Sequence, residues 1–85
     1  MPDRQVIITT IREIILTSWP RRFDSGTLRD DASLGAAGLG LDSIEIVELL
    51  SACEERLGLS TTPDLFEVVP LTIVRVADHF AAGDR

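Results

Sequence analysis

Eighty-five residues confine the chain to one small domain, expected to span residues 1–85, whose core hides only somewhat more than ~60% of the unfolded surface. An apolar fraction of 45% beside 26% charged residues is that of a globular protein and argues against disorder. A net charge of −6, with every basic residue an arginine, argues against a nucleic-acid role, since phosphate contacts need clustered cations. The charge is uneven: residues 1–29 carry five arginines against Asp3, Glu13 and Asp24, while residues 30–85 carry three against eleven acids. Such a surface steers partners of opposite charge, although a merely solvated face would have the same composition. One cysteine, Cys53, excludes an internal disulfide and fits a reducing compartment. No apolar run reaches membrane-spanning length and the N-terminus lacks a signal-peptide pattern, so the expected location is cytoplasmic, without membrane association.

In chain order, residues 4–18 are expected to form a first helix. Ile7, Ile11, Ile14 and Ile15, with Ile8 beside them, recur at helical spacing; Asp3 is the N-cap candidate and Pro20 the stop. The β-branched run Val6–Ile11 has strand propensity, but the apolar stripe extends too far for one strand. Residues 19–41 form a long connection. Connections beyond ~15 residues are uncommon in compact domains, so Leu28, Leu34, Leu39 and Leu41, with Trp19 and Phe23, are expected to pin it to the core. Its glycines suggest a phosphate cradle, a reading rejected because no G-x-x-x-x-G-K-[ST] motif and no preceding strand are present.

Residues 43–57 give the clearest helix. At ~100° per residue, Ile46, Leu49, Leu50, Cys53 and Leu57 share one face, with Cys53 as a small buried hydrophobe. The opposite face holds Ile44, Glu48, Ser51 and Glu55, with Glu45 and Val47 at its edges. Two apolar residues beside an acidic row suggest a docking surface. Gly58 is placed to end this helix in the left-handed conformation. Thr62-Pro63-Asp64 predicts a short helix over 64–69, closed by Pro70. Thr72 is placed to cap a last helix with the stripe Ile73, Val76, Ala77, Phe80 and with Gly83 past its end. Residues 73–76 also have strand propensity, but two isolated strands make a poor sheet. The consistent expectation is an all-α, four-helix bundle with three longer helices, one short third helix and a long loop between helices 1 and 2.

Little here supports catalysis. His79 is the sole histidine, with no second ligand at metal spacing. Ser43 has no G-x-S-x-G elbow and no histidine near it in sequence. Paired carboxylates would need a cleft that so small a bundle seldom provides. From local pattern alone, Asp42-Ser43-Ile44-Glu45 is a capping box, with Asp42 as N-cap, and Ser43 is a helix-start residue. A hydroxyl there also lies at the positive end of the helix dipole, which suits a phosphate ester.

The run Leu39-Gly40-Leu41-Asp42-Ser43-Ile44-Glu45-Ile46-Val47-Glu48-Leu49-Leu50, followed by Glu54-Glu55, resembles the signature of acyl carrier proteins, G-x-D-S-[LI] followed by an acid and V-E-L. The layout of helices and loops around it resembles the family over most of the chain. The resemblance implies a non-catalytic carrier with a 4′-phosphopantetheine arm on Ser43, preceded by Asp42. The arm would be installed from coenzyme A by a phosphopantetheinyl transferase and would bear acyl groups as thioesters. It further implies that Asp42, Ile44, Glu45, Val47, Glu48 and Glu55 meet basic patches on a ketosynthase, an acyltransferase or other synthase enzymes, transiently and as a monomer, with Ser51 on the same partner-binding face.

Departures bear on the subtype. Leu41 stands where peptidyl carriers have glycine, Ser51 where fatty-acid carriers often have methionine, and Thr61-Thr62-Pro63 replaces a more apolar approach to the third helix. The reading is polyketide or related specialised-metabolite biosynthesis, with fatty-acid synthesis and peptidyl carriage as alternatives. Outside the family, an unmodified helical interaction domain, or a compact hydrolase using Ser43 and His79, would remain.

Overall fold

The computed structural model describes residues 3–68 and 70–83. Asp3, extended at φ −84°, ψ 173°, accepts the Val6 amide on its side chain and opens α1, Arg4–Ser18. The five isoleucines at helical spacing all turn inward; Ile7, Ile11 and Ile15 are fully buried. Asp42 opens α2, Ser43–Leu57, and Gly58, at φ +68°, closes it with its amide on the Glu54 carbonyl. That backbone angle favours a residue without Cβ. The Thr72 hydroxyl accepts the Arg75 amide at the start of α3, Ile73–Gly83.

α1 packs against both α2 and α3. The core joins the α1 isoleucines to Leu49, Leu50 and Cys53 of α2 and to Ile73, Val76, Ala77 and Phe80 of α3. Burying Phe80 and the thirteen isoleucine, leucine and valine side chains of the described core, at ~1.5–3 kcal/mol each, is what holds so short a chain folded. Cys53 belongs to this core; burial pushes its thiol up to about 12, so it stays protonated and unreactive at neutral pH.

Residues 19–42 cross the surface as a tethered loop. Leu28, Leu34 and Leu41 are buried under it, whereas Leu39, Trp19 and Phe23 are partly buried. Arg12 reaches up from α1 to hold the carbonyls of Leu28 and Ser25, and pairs with Asp30 at 2.7 Å. The loop is then stitched to the start of α3: the Leu34 amide donates to Leu71, the Val74 amide to Asp30, and Ser33 bridges Thr72. Gly38 folds so close over Ser33 that a Cβ would lie 2.2 Å from the Ser33 carbonyl oxygen. No other residue fits there without moving backbone.

The regular elements among the described residues are all helical, with no strand beyond that isolated bridge. The four-helix expectation needs correction in its short member. Instead of an α-helix over 64–69, a 3-10 helix runs Pro63–Glu67, with i→i+3 bonds from the Leu65 and Val68 amides; Val69 lies outside the described residues. The five residues Pro63–Glu67, of which Leu65 is the buried one, are too few for a stable α-helix. Among the described residues the elements are therefore three α-helices and one 3-10 helix. Two smaller corrections concern positions: Gly83 is the last residue of α3 rather than lying beyond it, and Ile46 and Leu57 are only partly buried.

Candidate functional site

Local sequence builds the entry to α2. Asp42 adopts φ −80°, ψ 175°; its carboxylate accepts the Glu45 amide at 2.8 Å, and Glu45 Oε1 accepts the Asp42 amide at 3.0 Å. The capping box expected from the sequence is complete. Ser43 follows as the first helical residue, exposed, and its hydroxyl has no hydrogen-bond partner among the described residues. The Ser43 and Ile44 amides are likewise unpaired there, because the box and the Ile46-to-Asp42 bond use the others. A free hydroxyl beside two free amides at the positive end of a 15-residue helix favours an anionic ester.

Among the described residues, no side chain is hydrogen-bonded to this serine as a base would be. His79 is engaged elsewhere: its Nε2 accepts the Thr62 amide at 3.1 Å, tying α3 to the 3-10 helix. Thr62 in turn bonds Asp64, whose carboxyl is held below its ordinary range chiefly by that hydrogen bond. The nucleophile–base hydrogen bond of a hydrolase is not made by Ser43 among the described residues. It is an accessible alcohol, suited to being modified.

Beside it opens a groove of about 460 Å³, with a wall that is overwhelmingly carbon. Ser43, Ile46 and Val47 supply one side, Phe66 and Val68 another, and Gly35 and Ala37 of the loop a third. This explains why Ile46 is not fully interior: its helical position faces the groove rather than the core. Phe66, 54% exposed, continues the apolar rim formed by Ile44 at 68% and Val47 at 49%. The aromatic was not among the residues singled out from the sequence, because only the fold brings residue 66 alongside α2.

The acidic row divides in two. Glu48 and Glu55 are exposed on α2 and make no internal hydrogen bond or ion pair among the described residues, and Ser51 is exposed between them. Glu45 differs: Oε1 serves the box, and Oε2 takes Arg22 Nη1 at 2.6 Å. Glu54 also points to the protein, accepting the Thr61 amide at 2.7 Å and its hydroxyl. Glu67 on the 3-10 helix is the third described acid left without an internal partner. Sequence periodicity gave no signal for it.

A family model described as the phosphopantetheine attachment site matches residues 13–80. Comparison with curated proteins returns no match, and comparison with solved structures returns none. The matched stretch takes in most of the chain, so the chain belongs to this phosphopantetheine-binding carrier family. Members carry a covalently attached 4′-phosphopantetheine and meet a phosphopantetheinyl transferase and synthase enzymes. The exposed alcohol, the free helix-start amides and the apolar groove fit such a group.

Proposed function

We propose that Ser43 is the attachment point and that the chain carries acyl intermediates between the enzymes of a specialised-metabolite pathway, of polyketide or related type. The observation that carries this reading is the serine itself: exposed, first in a fully capped helix, without a base, and opening on an apolar groove. When bound, the arm supplies a thiol that holds acyl groups as thioesters, and the protein supplies position. The two free amides and the helix dipole favour the phosphodiester, while Ile46, Val47, Phe66 and Val68 offer carbon surface to whatever the arm bears.

Ile44, Val47, Glu48, Ser51 and Glu55 form the face read by partner enzymes, with Asp42 at its tip. Contacts of this kind are steered by charge and release quickly. Glu45 belongs to the same stretch but mainly holds the site together. The pathway assignment is supported by Leu41, Ser51 and Thr61-Thr62-Pro63, whose identities depart from peptidyl and fatty-acid carriers. A cytoplasmic monomer suits this role.

Incubation with coenzyme A and a broad-specificity transferase tests the proposal. Intact-protein mass spectrometry should show the gain of one phosphopantetheine per chain. A chain that stays at its unmodified mass with several active transferases would contradict it.

A further inference from the structure

Arg22 occupies a junction that the carrier reading leaves unexplained. Its guanidinium donates from Nη1 to Glu45 Oε2 at 2.6 Å and from Nη2 to the Gly40 carbonyl at 3.1 Å. It lies 6.0 Å from the Trp19 ring centroid and 5.4 Å from that of Phe23, and those two rings meet edge to face at 6.4 Å. One cation therefore joins three parts of the chain: the aromatic turn after α1, the last turn of the loop, and the first turn of α2. Gly40 and Glu45 flank Ser43 on either side. Glu45 is moreover the residue that closes the capping box, so the arginine holds the oxygen that the box does not use.

We propose that Arg22 is a positioning residue for Ser43, fixing the loop-to-helix joint so that the hydroxyl is held out for transfer of the phosphopantetheine group. The inference rests on Ser43 being the attachment point. In that reaction Ser43 Oγ bonds to the pantetheine-side phosphorus of coenzyme A. The bond from that phosphorus to 3′,5′-ADP breaks, and the serine proton passes to the transferase or to solvent. The step needs the oxygen in line with the breaking bond, so a joint that samples several arrangements offers a competent one only part of the time. Apparent affinity falls by that competent fraction, with the rate at saturation kept.

Guanidinium geometry matters here. A planar fork can serve a carbonyl and a carboxylate while lying against two aromatic rings, and a lysine ammonium cannot reproduce that arrangement. The pair is only part-exposed, with side-chain accessibilities of 40% for Arg22 and 23% for Glu45. Solvent screens such a pair, and the clamp works by aiming backbone more than by adding stability.

The test compares transferase kinetics of wild type, Arg22→Ala, Arg22→Lys and Glu45→Gln, with coenzyme A saturating and the carrier varied. Arg22→Ala should raise KM for the carrier about tenfold with kcat within twofold, and Arg22→Lys should recover only part of it. The pattern of hydrogen exchange separates local loosening of the joint from global destabilisation. The Asp42 and Glu45 amides should exchange faster in Arg22→Ala, with Ile11 and Leu50 as protected as in wild type. Glu45→Gln breaks the same ion pair while keeping a cap acceptor; it should shift KM in the same direction, and it carries the test if Arg22→Ala loses its helical signal. Unchanged KM in the folded variants, or faster exchange spread evenly over the core, overturns the inference. A wild-type chain that accepts no phosphopantetheine would instead sink the attachment reading.

Discussion

At the scale of single residues, the chemistry of this chain is set by which groups are already engaged. Ser43 is free, Cys53 is buried, His79 accepts a backbone amide, and among the α2 acids Glu45 and Glu54 turn inward while Glu48 and Glu55 do not. Glu48→Lys should therefore weaken turnover by an acceptor enzyme several-fold and flatten its salt dependence, with the melting temperature changed by little. Unchanged turnover would remove Glu48 from the docking face. Cys53, with its thiol pushed up to about 12, should resist a disulfide reagent at pH 8 and react promptly once the chain is unfolded. The α2 pattern made the helix-start place of Ser43, the exposure of Glu48 and Glu55 and the burial of Cys53 legible in the sequence. Arg22 was not legible: an arginine in a loop reveals nothing of a carboxylate 23 positions on until the loop is folded.

Elements came out of the sequence according to how local their causes are. α1 and α2 match their expected bounds because apolar spacing and the caps at Asp3, Asp42 and Gly58 lie within the segment they define. The short element did not. Whether residues 63–67 wind as α or 3-10 depends on the anchoring of Leu65 and on the return of the chain toward Thr72. Asp42→Ala removes one half of the capping box and should cost about 1 kcal/mol, a typical value for an N-cap. Thermal melts of the two proteins would measure it. An unchanged melting temperature in the mutant would mean that Glu45 and Arg22 hold the helix start without the aspartate. The loop carries a stricter demand. Gly38→Ala forces its Cβ against the Ser33 carbonyl, and should lower the melting temperature and loosen the wall of the groove beside Ser43.

For the molecule as a whole, the division is between an apolar interior that α1 dominates and an outer α2 face that we propose partners read. The interior leaves little reserve, because a domain of this size is marginal. Phe80→Ala, with the side chain fully buried, should cost about 3–5 kcal/mol and leave a large fraction of chains unfolded at 37 °C, as read by circular dichroism. Stability should also fall at high pH. The Cys53 thiol ionises near its ordinary value of 9.0 when unfolded and only near 12 when folded, so its contribution is complete below pH 9 and lost as pH rises toward 12. Cys53→Ser should show less of that decline.

Assignment of Ser43 is the claim on which the rest depends. It is tested most directly by treating wild type and Ser43→Ala in parallel with coenzyme A and a transferase, then mapping the modified peptide by tandem mass spectrometry. The account predicts phosphopantetheine on the peptide containing Ser43 in the wild type and no gain in the folded Ser43→Ala protein. Modification on any other serine or threonine, or a gain that survives in Ser43→Ala, would contradict it.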